Sequence, residues 1–189
     1  MKFYLQCRLK DDKKGMAENE KMSLAELNAL GRGEFVRAVG PVFEHSPWIA
    51  EATWPEKPFT SLDHLHHVLC ETVKTASEEK QLALIRAHPD LAGGATLTGS
   101  LTRASAAEQA GSGLTQLSPE EIMLFQKQNT AYREKFDIPF VICARLNKKE
   151  AMLKGFELRL GNSRETEIKT ALEEIFKIAW LRLRDLIRT

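Results

Sequence analysis

The constraint that weighs most on this chain is the spacing of apolar side chains near its C-terminal end. Ile168, Leu172, Ile175, Ala179, Arg182 and Leu186 follow one another at steps of four, three, four, three and four. Only an α-helix puts such positions on one face, so residues 164–187 read as a long helix with a single core-facing stripe. The same helical spacing runs through most of the chain from Met22 onward, and clean strand alternation is rare. With 189 residues, the chain has enough length for one well-filled core. The expected fold is all-α, a single compact multi-helix domain.

Helix starts are written into the sequence. Ser23-Leu-Ala-Glu26 has the form of a capping box and opens a short helix stopping near Gly31. A second amphipathic segment carries Phe35, Val36, Val39 and Phe43, and a third runs from Ser46 to Trp54-Pro55. Ser61 precedes a helix with Leu62, Leu65, Val68, Leu69 and Val73 on one side; Ser77 begins another that runs into His88-Pro89. Residues 90–104, rich in glycine and threonine, read as a loop leading into a short helix at Ser105–Gln109. Ser118-Pro119-Glu-Glu121 joins an N-cap to a proline at the first helical position, and that helix should run to about Lys135. Residues 136–144 are the one β-like run; the internal Pro139 favours an extended segment or a new buried helix start over a sheet strand. Two helices, 148–160 and 164–187, complete the pattern. Residues 1–21 stand apart as a polar leader, an expression remnant or the product of a late start, and the domain occupies 22–189.

Composition removes several classes of function. A formal charge of +1 provides no field for nucleic acid or an anionic membrane. Cys7, Cys70 and Cys143 form no disulfide framework and no CxxC metal pair. No apolar run approaches the roughly 20 residues that cross a bilayer, and the C-terminus is not a peroxisomal SKL signal. A reducing cytoplasm is the expected location.

Against this regular background a few polar residues sit where the pattern calls for something else. Arg182 occupies a stripe position; either its stem lies on the core with the guanidinium snorkelling out, or the guanidinium points into a polar pocket and requires an anion. Pro89 ends the preceding helix and sets the His88 imidazole at a helix-to-loop junction. Histidine can move protons in both directions near neutrality. Glu108-Gln109 lies in an alanine-rich helix whose small side chains allow close approach of other segments. Asn129 lies on the apolar side of its helix, as a packing amide or a substrate-orienting one. Asp63, His64, His66 and His67 raise a metal hypothesis, but no further ligand pair follows at a recognisable spacing.

Taken in order, these pieces resemble a known family. Phe43-Glu44-His45-Ser46-Pro47-Trp48, Pro58-Phe59, His88-Pro89-Asp90-Leu91-Ala92, Ser105-Ala-Ala-Glu108-Gln109, Asn129-Thr-Ala-Tyr132, Pro139-Phe140-Val141-Ile142, Arg164-Glu-Thr-Glu167 and Leu181-Arg182-Leu183 are similar to the OHCU (2-oxo-4-hydroxy-4-carboxy-5-ureidoimidazoline) decarboxylases of urate degradation. The match spans about residues 22–188. It departs locally at Ser112-Gly113-Leu114, where the family usually reads AGL, and at Asp137-Ile138, where a glycine and an aromatic commonly precede the Pro-Phe pair.

The resemblance implies a carboxy-lyase that forms (S)-allantoin without metal or organic cofactor, acts as a homodimer, and in some bacteria is fused to urate oxidase. A functional link to hydroxyisourate hydrolase is part of the same expectation. It assigns His88 as the proton-transfer residue, with Glu108 and Arg182 completing a polar pocket. Pro89, Ser105, Ala106, Ala107, Glu108, Gln109 and the backbone of Phe140, Val141, Ile142, Cys143 and Ala144 would line the substrate site. In this reading Glu108 bonds the substrate hydroxyl or the imidazole and raises the histidine pKa, and Arg182 presents a bidentate fork to the substrate. Two other readings compete: a helical interaction module with no buried polar pocket, and a metal hydrolase built on His64, His66 and His67.

Overall fold

Six of the helices described in the computed structural model begin where a side chain caps them. Ser23, Ser61, Ser77, Thr102, Ser118 and Ser163 each accept from the amide three residues on, satisfying one of the otherwise unpaired donors of a first turn. Ser23 with Glu26 and Ser118 with Glu121 form reciprocal capping boxes. The structure describes residues 21–93 and 101–188. The expectation of a leader therefore lies, for residues 1–20, outside the described residues, as does the 94–100 portion of the expected loop.

The helices are α1 (Leu24–Ala29), α2 (Arg32–Val39), α3 (Trp48–Thr53), α4 (Leu62–Lys74), α5 (Glu78–Arg86), α6 (Arg103–Gly111), α7 (Pro119–Phe136), α8 (Lys149–Arg159) and α9 (Arg164–Leu186). Short 3₁₀ turns stand at Gly40–Val42, Trp54–Glu56 and Ala144–Leu146. The fold is all-α: among the described residues the only β pairing is a single bridge between Met22 and Ile187, which ties the start of the patterned chain to its end.

The long α9 is the axis of packing. It touches α4, α5, α7 and the Gly40–Val42 turn, and buries Ala171, Leu172, Ile175, Ile178, Ala179, Arg182 and Leu183. The stripe expected from the sequence is buried from Leu172 to Arg182, while Ile168 and Leu186 lie at its half-buried ends. One continuous core runs from Leu27, Phe35 and Phe43 through Leu65 and Leu69 to Phe125, Tyr132, Phe140 and Phe156.

Three details of the backbone set up the site. Helix α5 ends at Arg86, so His88 stands just beyond its C-terminus, its amide still donating to Ile85 O at 3.1 Å. The turn that follows is held by Gln109, whose Oε1 accepts from Ala92 N at 3.2 Å, and by Asn129, whose Nδ2 donates to Leu91 O at 2.8 Å. These bonds fasten Ala92 at φ 49°, a left-handed conformation that costs a residue with a Cβ roughly 1–2 kcal/mol. Beyond α7, residues 137–143 take neither helix nor strand; of the two forms expected for this run, the extended one is adopted.

Candidate active site

Four separated parts of the chain converge beside α9. The α5–loop junction brings His88 and Pro89, α6 brings Ser105, Glu108 and Gln109, the extended run brings Phe140, Val141, Ile142 and Ala144, and α9 brings Ile178 and Arg182. Together with Leu91 they line a narrow cavity of about 30 Å³, space for roughly one water.

Arg182 is the electrostatic centre. Its side chain is only 7% exposed, so the snorkelling alternative does not hold. All five N–H groups are engaged by the protein. Nε and Nη2 form a bidentate pair with Glu108 at 2.9 and 2.8 Å, and Nη2 also donates to Ser105 Oγ at 3.2 Å. Nη1 donates to Glu44 Oε2 at 3.1 Å and to Val42 O at 3.3 Å. The planar fork thus carries one carboxylate on its edge and a second at its tip. The sequence reading gave the fork to the substrate; in the structure Glu108 occupies it.

Glu44 is the member that sequence reasoning missed. A glutamate two residues before Ser46-Pro47 carries no spacing signal for a pocket. Its carboxylate accepts from Thr102 Oγ1 at 2.5 Å, Ser105 Oγ at 2.9 Å and Arg182. Burial pushes this carboxyl upward, but the bonds from Thr102 and Ser105 and the field of Arg182 outweigh it and hold it below the usual glutamate range. Leu91 and Ile178 also line the cavity unannounced.

His88 is buried, and its Nδ1 lies 3.0 Å from Leu84 O. A carbonyl only accepts, so Nδ1 carries the proton and Nε2, on the far edge of the ring, presents a lone pair. Burial is the largest influence on this imidazole and lowers its pKa to about 4, against the opposing pull of the Leu84 bond and Glu44. This reverses the expectation that Glu108 raises it: Glu108 is committed to Arg182. With His88 neutral, the two carboxylates and one guanidinium leave the cavity with one net negative charge.

Not every expected residue arrives at the site. Ala106 and Ala107 lie on the exposed side of α6, since a helix turns residues adjacent to Ser105 away from the face that Ser105 and Gln109 share; Ala107 lines an outer cavity that adjoins the first at Glu108 and Arg182. Cys143 sits in the core, its amide donating to Glu174 Oε2 at 2.8 Å and so turned away from the cavity. The amides of Phe140, Val141, Ile142 and Ala144 have no such acceptor among the described residues. Asn129 is a packing amide, holding the Leu91 carbonyl. The histidines of α4 diverge: His64 Nδ1 meets the Thr60 amide at 3.2 Å and His66 Nε2 the Phe176 carbonyl at 2.9 Å. Among the described residues no three His, Cys, Asp or Glu side chains gather at one point.

Residues 28–184 match the family model described as OHCU decarboxylase. The chain belongs to the OHCU decarboxylase family. It is thus an enzyme of the carboxy-lyase class. It is 42% identical over 166 residues to the 2-oxo-4-hydroxy-4-carboxy-5-ureidoimidazoline decarboxylase of Halalkalicoccus jeotgali, covering 88% of this chain and 92% of that one. It is 38% identical over 167 residues to the uric acid degradation bifunctional protein of Bacillus sp. strain TB-90, covering 88% of this chain but 32% of that longer protein. Among solved structures, that of an (S)-allantoin synthase superposes with a TM-score of 0.71 at 26% identity, over 89% of this chain and 54% of the other. Membership of the family agrees with the all-α fold, and no helix among the described residues is long and apolar enough to cross a membrane.

Proposed function

We propose that this chain decarboxylates 2-oxo-4-hydroxy-4-carboxy-5-ureidoimidazoline to (S)-allantoin, without metal or organic cofactor, and that His88 carries the proton. One observation bears most of the weight. A buried imidazole of fixed tautomer, neutral near pH 7, shares a cavity with a guanidinium held between two carboxylates. Such a group begins the cycle as a proton acceptor, through Nε2, and becomes a donor once it has been charged.

The chemistry needs no more than this. As the C–C bond to the carboxylate breaks, its electron pair passes into the conjugated imine of the ring and CO2 departs. The hydroxyl proton moves to Nε2 of His88 and from there to the ring carbon bearing the ureido group, on one face only, which gives the (S) product. A second proton, from solvent, neutralises the electron pair left in the ring system. Entry of an anion into a cavity already one charge negative favours protonation of His88, so the substrate itself helps to load the proton.

Glu108 accepts from the substrate's hydroxyl or ureido N–H groups while Arg182 holds it in place. Arg182 therefore acts as a fixed cation behind Glu108. The amides of Phe140, Val141, Ile142 and Ala144 provide donors for the ring and carboxylate oxygens. Ser105, Gln109 and Pro89 complete the walls. The cavity is far below the roughly 300 Å³ at the lower end of small-molecule sites, so its walls must part on binding. We place the protein in the cytoplasm as a homodimer, working beside urate oxidase and hydroxyisourate hydrolase as a separate chain or in a fusion. The bifunctional relative supports the fusion.

The test generates the unstable substrate in situ from urate and follows chiral allantoin by circular dichroism. The chain should accelerate appearance of the (S) signal, and His88→Ala should lower turnover by about 10²–10⁴ with the fold retained. Allantoin appearing only as a racemate at the uncatalysed rate would sink the reaction; near-normal stereospecific turnover by the variant would remove His88 from the proton path.

A further inference from the structure

Behind the extended wall of the cavity lies another largely buried ion pair among the described residues, Arg159 with Glu167, that the proposed reaction does not use. Glu167, in the first turn of α9, is fully buried. It accepts from Arg159 Nε at 2.9 Å, from Asn162 Nδ2 at 2.6 Å and from the Tyr132 hydroxyl. Arg159, the last residue of α8, also donates from Nη2 to Tyr132 Oη at 3.1 Å and from Nη1 to the carbonyl of Val141 at 2.7 Å. Its guanidinium lies 4.4 Å from the centre of the Phe140 ring. That ring is stacked on Phe156 at 3.8 Å and meets Tyr132 edge-on at 5.2 Å. Gly155 makes room for it: a Cβ there would stand 3.1 Å from Phe140 Cζ.

Burying this pair costs several kcal/mol in desolvation, and apolar packing would serve stability as well. What apolar residues could not do is hold a carbonyl. The C=O of Val141 and the N–H of Ile142 belong to one planar trans peptide and point in opposite directions. Arg159 fixes the oxygen on the core side, so the Ile142 N–H must point away from the core, and Val141 and Ile142 both line the cavity. One residue further on, Glu174 takes the Cys143 amide and fastens the other end of the unit.

We infer that Arg159 is a positioning residue for the reaction, orienting the Val141–Ile142 peptide so that the Ile142 N–H serves as a donor to substrate, with Glu167 anchoring the guanidinium. The inference rests on the reaction proposed above, and the experiment begins by measuring wild-type (S)-allantoin formation, so that failure of the reaction is seen separately.

With wild-type turnover in hand, ¹⁵N-labelled full-length protein is titrated with (S)-allantoin. The Ile142 amide should shift on binding; an Ile142 resonance indifferent to saturating product overturns the inference with no variant needed. Arg159→Lys keeps a charge for Glu167 but loses the planar fork. It should lower kcat by about 10- to 100-fold, as expected for a donor misplaced by an ångström, and abolish the Ile142 response. Tyr132→Phe is the matched comparison, since it removes two bonds of the same cluster and leaves the one to Val141; it should keep the Ile142 response and most of kcat. Wild-type kcat in Arg159→Lys, or an equal loss in both variants, would reduce Arg159 to a packing role.

Discussion

Lowering the pH should destabilise this protein through His88. The imidazole's ordinary pKa of 6.5 applies to the unfolded chain, while burial brings it to about 4 in the fold. Between those values the unfolded chain binds more protons than the native one, so stability rises with pH. The contribution is complete above pH 6.5 and is lost as pH falls towards 4. A displacement from 6.5 to about 4 corresponds to about 3 kcal/mol across the whole window, of which about 2 kcal/mol is gone by pH 5. That is a large share of a domain stability of roughly 5–15 kcal/mol.

The assay is urea denaturation of wild type and His88→Asn at pH 7.5 and pH 5. The variant keeps the other four histidines, so their effects cancel in the difference between the two proteins. Wild type should lose about 2 kcal/mol more than the variant over this interval, with no change in m-value. The same protonation should govern catalysis, with kcat/KM holding through pH 6.5 and falling only towards pH 4. Equal losses in the two proteins, or a His88 ring resonance titrating near 6.5, would refute both the burial argument and the neutral resting state.

Two further outcomes follow from the contacts. Glu44→Gln leaves the buried Arg182 with a single carboxylate, and should destabilise the fold by about 3 kcal/mol, read as a lower urea midpoint, while turnover falls through the displaced guanidinium. Asp137→Gly should raise stability by about 0.5–1 kcal/mol, a few degrees in Tm, because Asp137 ends α7 at φ 57°, where glycine has no Cβ to strain. The Arg86–Asp137 pair lost with it is exposed and contributes little.

Asp137 also shows how far a sequence can be read. Its departure from the family's glycine was visible, but its left-handed conformation was not, since aspartate tolerates that region only as a minority state. Helices were legible because capping and apolar spacing are local: the caps at Ser23, Ser61, Ser77 and Ser118 could all be placed from a few neighbouring residues. His88 was legible for the same reason, through the proline after it. The partner of Arg182 was not, because what neutralises a buried guanidinium depends on which distant segments reach it. The resemblance places Glu108 in the pocket, bonding the substrate hydroxyl or the imidazole; that the fork of Arg182 holds it could not be read from spacing.

Glu44 marks the point at which local reasoning ends. It lies 138 residues from Arg182 and reaches it only because the Gly40–Val42 turn packs on α9. No periodicity encodes that contact; it follows from the requirement that a charge on a core-facing stripe be answered by charge. Arg182 demanded an anion from the moment it appeared in the stripe. Two answered, and they differ in exposure: Glu44, 2% exposed, is also held by Thr102 and Ser105, whereas Glu108, 14% exposed, lines the cavity and is the one that the proposed reaction gives to the substrate. On that reading Glu44 balances the buried guanidinium, so that Glu108 can stay on the fork and still accept from substrate; with Glu108 as the one carboxylate, any weakening of its pair would leave the arginine uncompensated.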